Sequence, residues 1–512
     1  MSAERLGGAA TRAGTLRGCE VFEAGARTLG RTGYTVSPVG FGGYRIRDDS
    51  PAHRRALAEA LRNGVNLIDT STNYGDGRSE LLVGRVLAQL VQAGEVRRER
   101  TVVVSKIGYA QGTTRRRLEG TDTPEIVRVR DDLWHCIHPQ FLATQLDASL
   151  ERLGVARLDV LLLHNPEYFL IDAAARGVER DAAVAAYRQR LRRAFAALEE
   201  HVAAGRIGWY GVSSNGFVVD PSDPSFTSMH DVVAEARAAG GDDHHLAVAQ
   251  LPMNLLELGA LRARVPTPDG PKTPLQIAEA ADLGVLVNRP LNAFAQIDGR
   301  QQLLRLAEIA GPDDAQADVD ARLAAVRKLE GQWATGLGAR LRTEDGDDAV
   351  DLFRWGQELS SRLAELEGLE QWSRLRHNVI APHVGRTSAG LLSALQGEDR
   401  DEFARWWEAY GTALHAAFSA IETQLGQRRR AVVERVRAKL VPHLPAPWRD
   451  LPLSRQAVLA LLGAPISAVL VGMRQPKYVF DMLALREHPV RLLSAAAGAV
   501  DLAAISADLA QL

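Results

Sequence analysis

Between residues 35 and 291 the chain alternates two hydrophobic patterns. Short runs with nearly every position apolar read as buried strands: "PVGFGG", "VNLIDT", "TVVVSK", "LDVLLLHN", "IGWYGVSSN", "LAVAQLPMN" and "VLVNRPL". Between them lie segments with apolar residues every three to four positions, which read as helices: "PAHRRALAEALRNG", "SELLVGRVLAQLVQAG", "PQFLATQLDASLERLGV", "AYRQRLRRAFAALEEHVAAG", "DVVAEARAAGG" and "PLQIAEAADLG". Several close on glycine, a common helix C-cap. Repeated strand–helix units with continuous apolar strands predict a parallel sheet. An eighth strand, "ISAVLVG", stands at 466–472, and eight parallel strands close into a (β/α)8 TIM barrel. A doubly wound open sheet is the competing architecture, but "GFGGY" lacks the spacing of a dinucleotide-binding turn.

Residues 296–450, between strands seven and eight, carry almost no strand pattern. Phe403, Trp407, Tyr410, Leu414, Phe418, Ile421 and Leu425 form a stripe along one helix. Continued through Val432 and Val436 to Leu440, it is roughly 60 Å long at 1.5 Å per residue. Leu352, Trp355, Leu359, Leu363 and Leu366 mark a second stripe. The segment is expected to be an inserted all-helical subdomain whose apolar faces pack on one another or on the barrel. The predicted order is a tail over 1–26, strands one to seven over 27–295, the insertion over 296–450, barrel completion over 451–485, and a helical extension over 486–512. An insertion after strand seven emerges on the face where strands end, as a roof over the pocket, a dimerisation surface or a partner-binding element.

Composition narrows the partners. Lys+Arg total 61 against Asp+Glu 63, a net charge of −2, which gives no electrostatic reason for nucleic acid or an acidic membrane surface. Cys19 and Cys136 form no disulfide framework, and no run of about 18 apolar residues predicts a transmembrane helix. The first residues lack an apolar core and carry Glu4, Glu20 and Glu23, unlike a targeting peptide. A reducing, cytoplasmic setting is expected. Lysine occurs at only five positions, so arginine supplies 56 of the 61 basic residues.

That scarcity makes Lys106 informative, because it directly follows the buried run "TVVVS". In a (β/α)8 barrel, chemistry is built where strands end. The ends in order present Asp69 after strand two, Tyr74 in its loop, Lys106 after strand three and His164 after strand four. Each alone has a structural explanation: a turn cap, rim packing or a core histidine. Together, on adjacent staves, they converge on one pocket. A Lys106 ammonium beside Tyr74 favours the phenolate, Asp69 neutralises and orients the lysine, and His164 can hydrogen-bond a substrate oxygen. A phenol so placed can protonate a carbonyl oxygen while hydride reaches its carbon. Tyrosine supplies no hydride, so the chemistry requires a nicotinamide cofactor.

"LIDTSTNYGDGRSELLVGRVL", "VVVSKIG", "LDVLLLHNPE", "IGWYGVSSN" and "VLVGMRQPKYVFDML" resemble the aldo-keto reductase family, and "RTLGRTGYTVSPVGFGG" resembles its N-terminal hairpin and first strand. The resemblance covers 27–292 and 451–485. It implies NADPH- or NADH-dependent interconversion of an aldehyde, ketone or sugar with an alcohol. Tyr74 would be the acid/base, Lys106 and Asp69 its tuning pair, and His164 the substrate orienter. It further implies cofactor contacts by Ser214, Asn215 and Gln250 at the nicotinamide carboxamide, and by Gly42, Gly43, Tyr44 and Asp69 at the first strand ends. Asn288, Arg289 and Leu291 would line the pyrophosphate and nicotinamide, and Arg474 would receive the 2′-phosphate. NADP is the expected cofactor, with NAD as the alternative.

His135, Cys136 and His138 invite a metal reading, but no tetrahedral set accompanies them, and no metal is expected. The expected partner is a small carbonyl or alcohol, with the inserted helices as a surface for self-association. A competing reading is a cofactor-binding sensor or scaffold, as in the potassium-channel β subunits of this fold. An intact lysine–tyrosine pair favours the enzyme.

Overall fold

The computed structural model describes residues 5–19, 22, 25–297, 300–307, 318–341, 349–366, 368–487 and 500–510. They fall into two compact units: 1–306 with 439–512, and 307–438.

The first unit is a closed barrel of eight strands: β1 (Val39–Gly42), β2 (Leu67–Asp69), β3 (Val102–Ile107), β4 (Leu158–His164), β5 (Ile207–Ser213), β6 (Leu246–Pro252), β7 (Gly284–Asn288) and β8 (Ala468–Val471). Every neighbouring pair is parallel, and β8 closes the ring against β1 with Val469 opposite Val39. The strands stay apolar throughout because both faces are covered. Leu67, Val104, Val160, Leu162, Val248, Leu286 and Leu470 fill the interior. The antiparallel pair Arg27–Thr28 and Thr35–Val36 brings Leu29, Tyr34 and Val36 into the same cluster and closes the end where the strands start.

Helices follow the strands as the periodicity predicts. Pro51–Arg62 starts on a Ser50 cap with proline in its first turn, and Pro139–Leu153 stops on Gly154 at φ 62°, a left-handed position that glycine occupies freely. The completion is a helix Leu453–Leu461, then β8, then a helix Pro476–Leu483.

Some local features carry weak sequence signals. Residues near the N-terminus bind the barrel: Thr11 caps a helix Arg12–Gly18, and the Ala10 amide donates to buried Asp159 at 2.7 Å. The segment after β3 folds into a three-stranded sheet of Tyr109–Ala110, Leu133–His135 and Val127–Arg130. After β7 the chain forms a hairpin, Asn292–Ile297 with Arg300–Arg305, which crosses residue 296 into the stretch read from sequence as nearly strand-free. Of the C-terminal extension, Leu502–Leu509 is helical, and residues 488–499 lie outside the described residues.

The second unit is helical in its described residues. Gly397–Leu440 is one helix of 44 residues, about 66 Å at 1.5 Å per residue. Phe403, Tyr410, Leu414, Phe418, Ile421 and Leu425 are buried along it. Near its C-terminus Val433 is buried in place of the expected Val432. The second stripe is divided among a 3-10 turn Ala349–Leu352, a helix Trp355–Arg362 and another turn, Leu363–Glu365. Trp333, Phe353, Phe403 and Tyr410 form the aromatic centre of this unit's core.

Candidate active site

Register aligns the ends of the strands. Asp69 stands opposite Gly42 and Val104, and Ser213 stands opposite both His164 and Gln250. Side chains at these ends therefore meet at one mouth of the barrel.

Lys106 is fully buried, and its Nζ donates to Asp69 Oδ2 at 2.7 Å, to the Thr70 carbonyl at 2.9 Å and to Tyr74 Oη at 3.2 Å. Three acceptors for three ammonium protons leave no donor unmet. Burial works against the Lys106 charge, but Asp69 and Tyr74 outweigh it and hold the ammonium above its ordinary range. Tyr74 departs from the sequence expectation of a lowered phenol. Burial pushes it up by more than Lys106 pulls it down, so it stands as a protonated donor. Its ring edge meets His164 at 5.9 Å and Tyr44 at 5.2 Å.

His164 is driven well below its ordinary value by burial and by the Lys106 charge, so it is neutral. Ser71 Oγ lies 3.1 Å from His164 Nδ1 and 2.7 Å from Asn73 Oδ1. Its single proton goes to the Asn73 amide oxygen, so towards His164 Nδ1 the hydroxyl offers a lone pair.

Of the residues predicted to hold a cofactor, Gln250 is committed inward. Its Nε2 donates to Asp69 Oδ1 at 2.8 Å, and its Oε1 accepts from Ser213 Oγ at 3.1 Å and Asn288 Nδ2 at 3.4 Å. Gly43 serves close packing: a Cβ there would stand 2.7 Å from the Asp69 carbonyl, which its own amide contacts. Gly42 lies against the Val471 backbone, and Tyr44 is exposed at the rim. The Ser214 hydroxyl and the Asn215 amide both donate to Glu167. Leu291 accepts from the Leu306 amide, closing the hairpin, and Arg289 bonds Glu257 at 3.2 Å.

Two features fit a dinucleotide. Asn288 Oδ1 is buried with no hydrogen-bond partner, a deficit an amide donor would remove. Arg474 is half-buried and lowered by burial and by the like charge of Arg45, and His53 feels it as well. Among the described residues Arg474 makes no ion pair, so this positive corner suits a phosphate.

Sequence reasoning missed an aromatic wall beside His164. The Tyr109 ring stands 4.6 Å from it, and Tyr109 Oη accepts from Asn165 Nδ2 at 2.7 Å and lies 3.4 Å from Tyr168 Oη. Asn165 adopts φ 51°, an uncommon left-handed conformation at a strand end. His135, on the sheet after β3, puts Nε2 2.7 Å from the His164 carbonyl, and burial lowers it to about 4. That contact gives the buried imidazole a hydrogen-bond partner. Among the described residues, no group of three or more His, Cys, Asp or Glu side chains is placed to hold a metal. The available signal was the spacing after Asp69 and His164: Ser71 lies two residues beyond the first, Glu167 three beyond the second.

Residues 38–220 match the model of the aldo/keto reductase family. The chain is 35% identical to an L-galactose dehydrogenase of Arabidopsis thaliana over 154 residues, covering 28% of this chain and 40% of that protein. It is 32% identical to an NADH-specific methylglyoxal reductase of Escherichia coli over 149 residues, covering 27% and 40%. It is 30% identical to a D-threo-aldose 1-dehydrogenase of Pseudomonas sp. over 192 residues, covering 36% and 51%. The matched stretch thus spans two fifths to one half of the length of these relatives.

Proposed function

We propose that the chain, whose residues 38–220 match the aldo/keto reductase family model, is an NAD(P)H-dependent oxidoreductase interconverting a carbonyl and an alcohol. The observation that carries this reading is the Lys106 ammonium shared between Asp69 Oδ2 and Tyr74 Oη. The bound nicotinamide supplies or accepts the hydride. Arg474 would take its phosphate end, and Asn288, Ser214 and Asn215 its carboxamide end.

Tyr74 holds the proton that a reduced carbonyl oxygen needs, because burial keeps the phenol protonated at neutral pH. As that proton leaves, negative charge develops on Tyr74 Oη, and Lys106, 3.2 Å away, stabilises it. Asp69 keeps Lys106 charged, and Gln250 fixes the second oxygen of Asp69. The 3.1 Å contact of Ser71 Oγ with Nδ1 fixes the neutral ring of His164, which orients the substrate oxygen. In the oxidative direction the same groups run in reverse, with Tyr74 taking the alcohol proton.

The substrate we propose is a hydroxylated aldehyde, ketone or sugar. The hydroxyls of Tyr109 and Tyr168 with Asn165 give a polar edge to an aromatic wall, which suits a polyol chain. Two of the relatives above are named for sugars. The deciding experiment follows absorbance at 340 nm with NADPH, NADH and their oxidised forms against a panel of aldehydes, ketones and sugars. Turnover that vanishes in Tyr74→Phe while cofactor binding persists is the expected result. No turnover with any member of the panel, or full activity in that variant, rejects the reading.

A further inference from the structure

The site contains a buried acid that the proposed chemistry leaves unused. Glu167 lies three residues beyond His164, is 3% exposed, and has no ion-pair partner among the described residues. Its Oε2 accepts from the Ser214 hydroxyl at 2.8 Å. Its Oε1 accepts from the Asn215 amide at 2.9 Å and the Gly216 amide at 3.4 Å. All three donors belong to the turn that ends β5.

We propose that Glu167 is a positioning residue for cofactor binding: its carboxylate clamps the 214–216 turn in the geometry that receives the nicotinamide end. This rests on the reading of Ser214 and Asn215 as cofactor contacts. The turn is seated from its other side as well. The Gly216 carbonyl accepts from the Thr227 amide at 3.0 Å, and a Cβ on Gly216 would meet the Ser225 carbonyl at 2.1 Å. With its backbone fixed on both sides, the exposed Asn215 side chain is displayed at the mouth of the barrel. The Ser214 hydroxyl spends its proton on Glu167 and accepts from the Gly216 amide at 3.0 Å, leaving one lone pair for an N–H donor.

The clamp depends on charge. Only the ionised carboxylate accepts from all three donors, because a protonated carboxyl turns one oxygen into a donor that opposes Ser214. Burial pushes Glu167 up to about 7, and its three hydrogen bonds only partly pull it back. The titratable groups that feel its charge are the phenols Tyr109 and Tyr187, both pushed up by burial. Neither of these changes charge near neutrality, so the turn tightens as pH rises through about 7 and loosens below it.

The test measures the Kd of the full chain for NADPH and for NADH by nicotinamide fluorescence from pH 6 to 8.5. Wild type should bind several-fold more weakly at pH 6 than at pH 8. Glu167→Gln should bind weakly at every pH with little slope, while kcat at saturating cofactor stays within about twofold. Glu167→Asp should restore part of the slope. A wild-type Kd that is flat in pH for NADH, or a Glu167→Gln variant with wild-type affinity and slope, overturns the inference and leaves the functional reading standing. A wild type that binds neither dinucleotide overturns both.

Discussion

The barrel and the helical unit both bury carboxylates, with different consequences. In the helical unit Glu330 accepts from the amides of Gly356 and Gln357 and from Tyr410 Oη, so it caps a helix and anchors an aromatic core. In the barrel Asp69 meets an ammonium, which meets a phenol, beside a histidine and below a partly exposed rim of tyrosines. A buried charge alone therefore does not mark a site. Convergence of titratable groups from separate strands on an accessible face does. The core residues differ in the same sense. The barrel interior is packed with Val, Leu and Ala, and its polar groups collect at one end, whereas the helical unit is centred on Trp and Phe.

Five measurements break or sharpen this contrast. The largest effect should come from Tyr74→Phe, with kcat falling by about 10²- to 10⁴-fold, the usual worth of a positioned proton donor, and cofactor Kd within twofold. An equal loss of affinity would make Tyr74 a binding residue and blur the distinction between the two regions. Next is Lys106→Met, which leaves Asp69 buried without its cation and should destabilise the barrel by about 3–5 kcal/mol. Glu330→Gln keeps an acceptor for its amides and should change stability by only about 1–2 kcal/mol. Equal shifts in thermal or urea unfolding would remove the difference in character between the two carboxylates.

Trp333→Ala should destabilise the helical unit by about 3–5 kcal/mol while leaving NADPH affinity within twofold, as read by denaturation and fluorescence titration. A large loss of affinity would show that the barrel's site depends on that core. The remaining tests are in pH. Tyr74 is raised and His164 lowered, so kcat for reduction at saturating cofactor should stay level from about pH 6 to 9. A limb inside that window would assign a different acid. His135 is lowered to about 4 in the folded chain against about 6.5 unfolded. Its contribution is complete above about 6.5 and is lost as pH falls toward 4, worth at most about 3 kcal/mol. His135→Gln should flatten that acid limb in unfolding experiments, and an unchanged slope would place the acid sensitivity elsewhere.

Legibility followed the range of the signal. The eight strands were readable because burial on both faces makes each a short apolar run, and the polar residues that stop those runs were Asp69, Lys106 and His164. The long helix was readable because its stripe repeats over many turns. The hairpin after β7 was not, since "NAFAQI" and "RQQLLR" alternate too weakly to outweigh the helical pattern that follows. Ser71, Tyr109, Asn165 and Glu167 were missed because each owes its role to a partner on another strand or on the long connection after β3.

By itself, then, the sequence determined the barrel, the identity of four converging side chains and the helical character of the segment before β8, because periodicity and burial are local properties of the chain. Tertiary structure decided the direction of Tyr74, since burial outweighs a neighbouring cation only when the whole pocket is closed. It also decided that Gln250 supports Asp69 and that Glu167 holds the turn after β5. Those are contacts between strands far apart in sequence, and only closure of the barrel brings them within hydrogen-bonding distance.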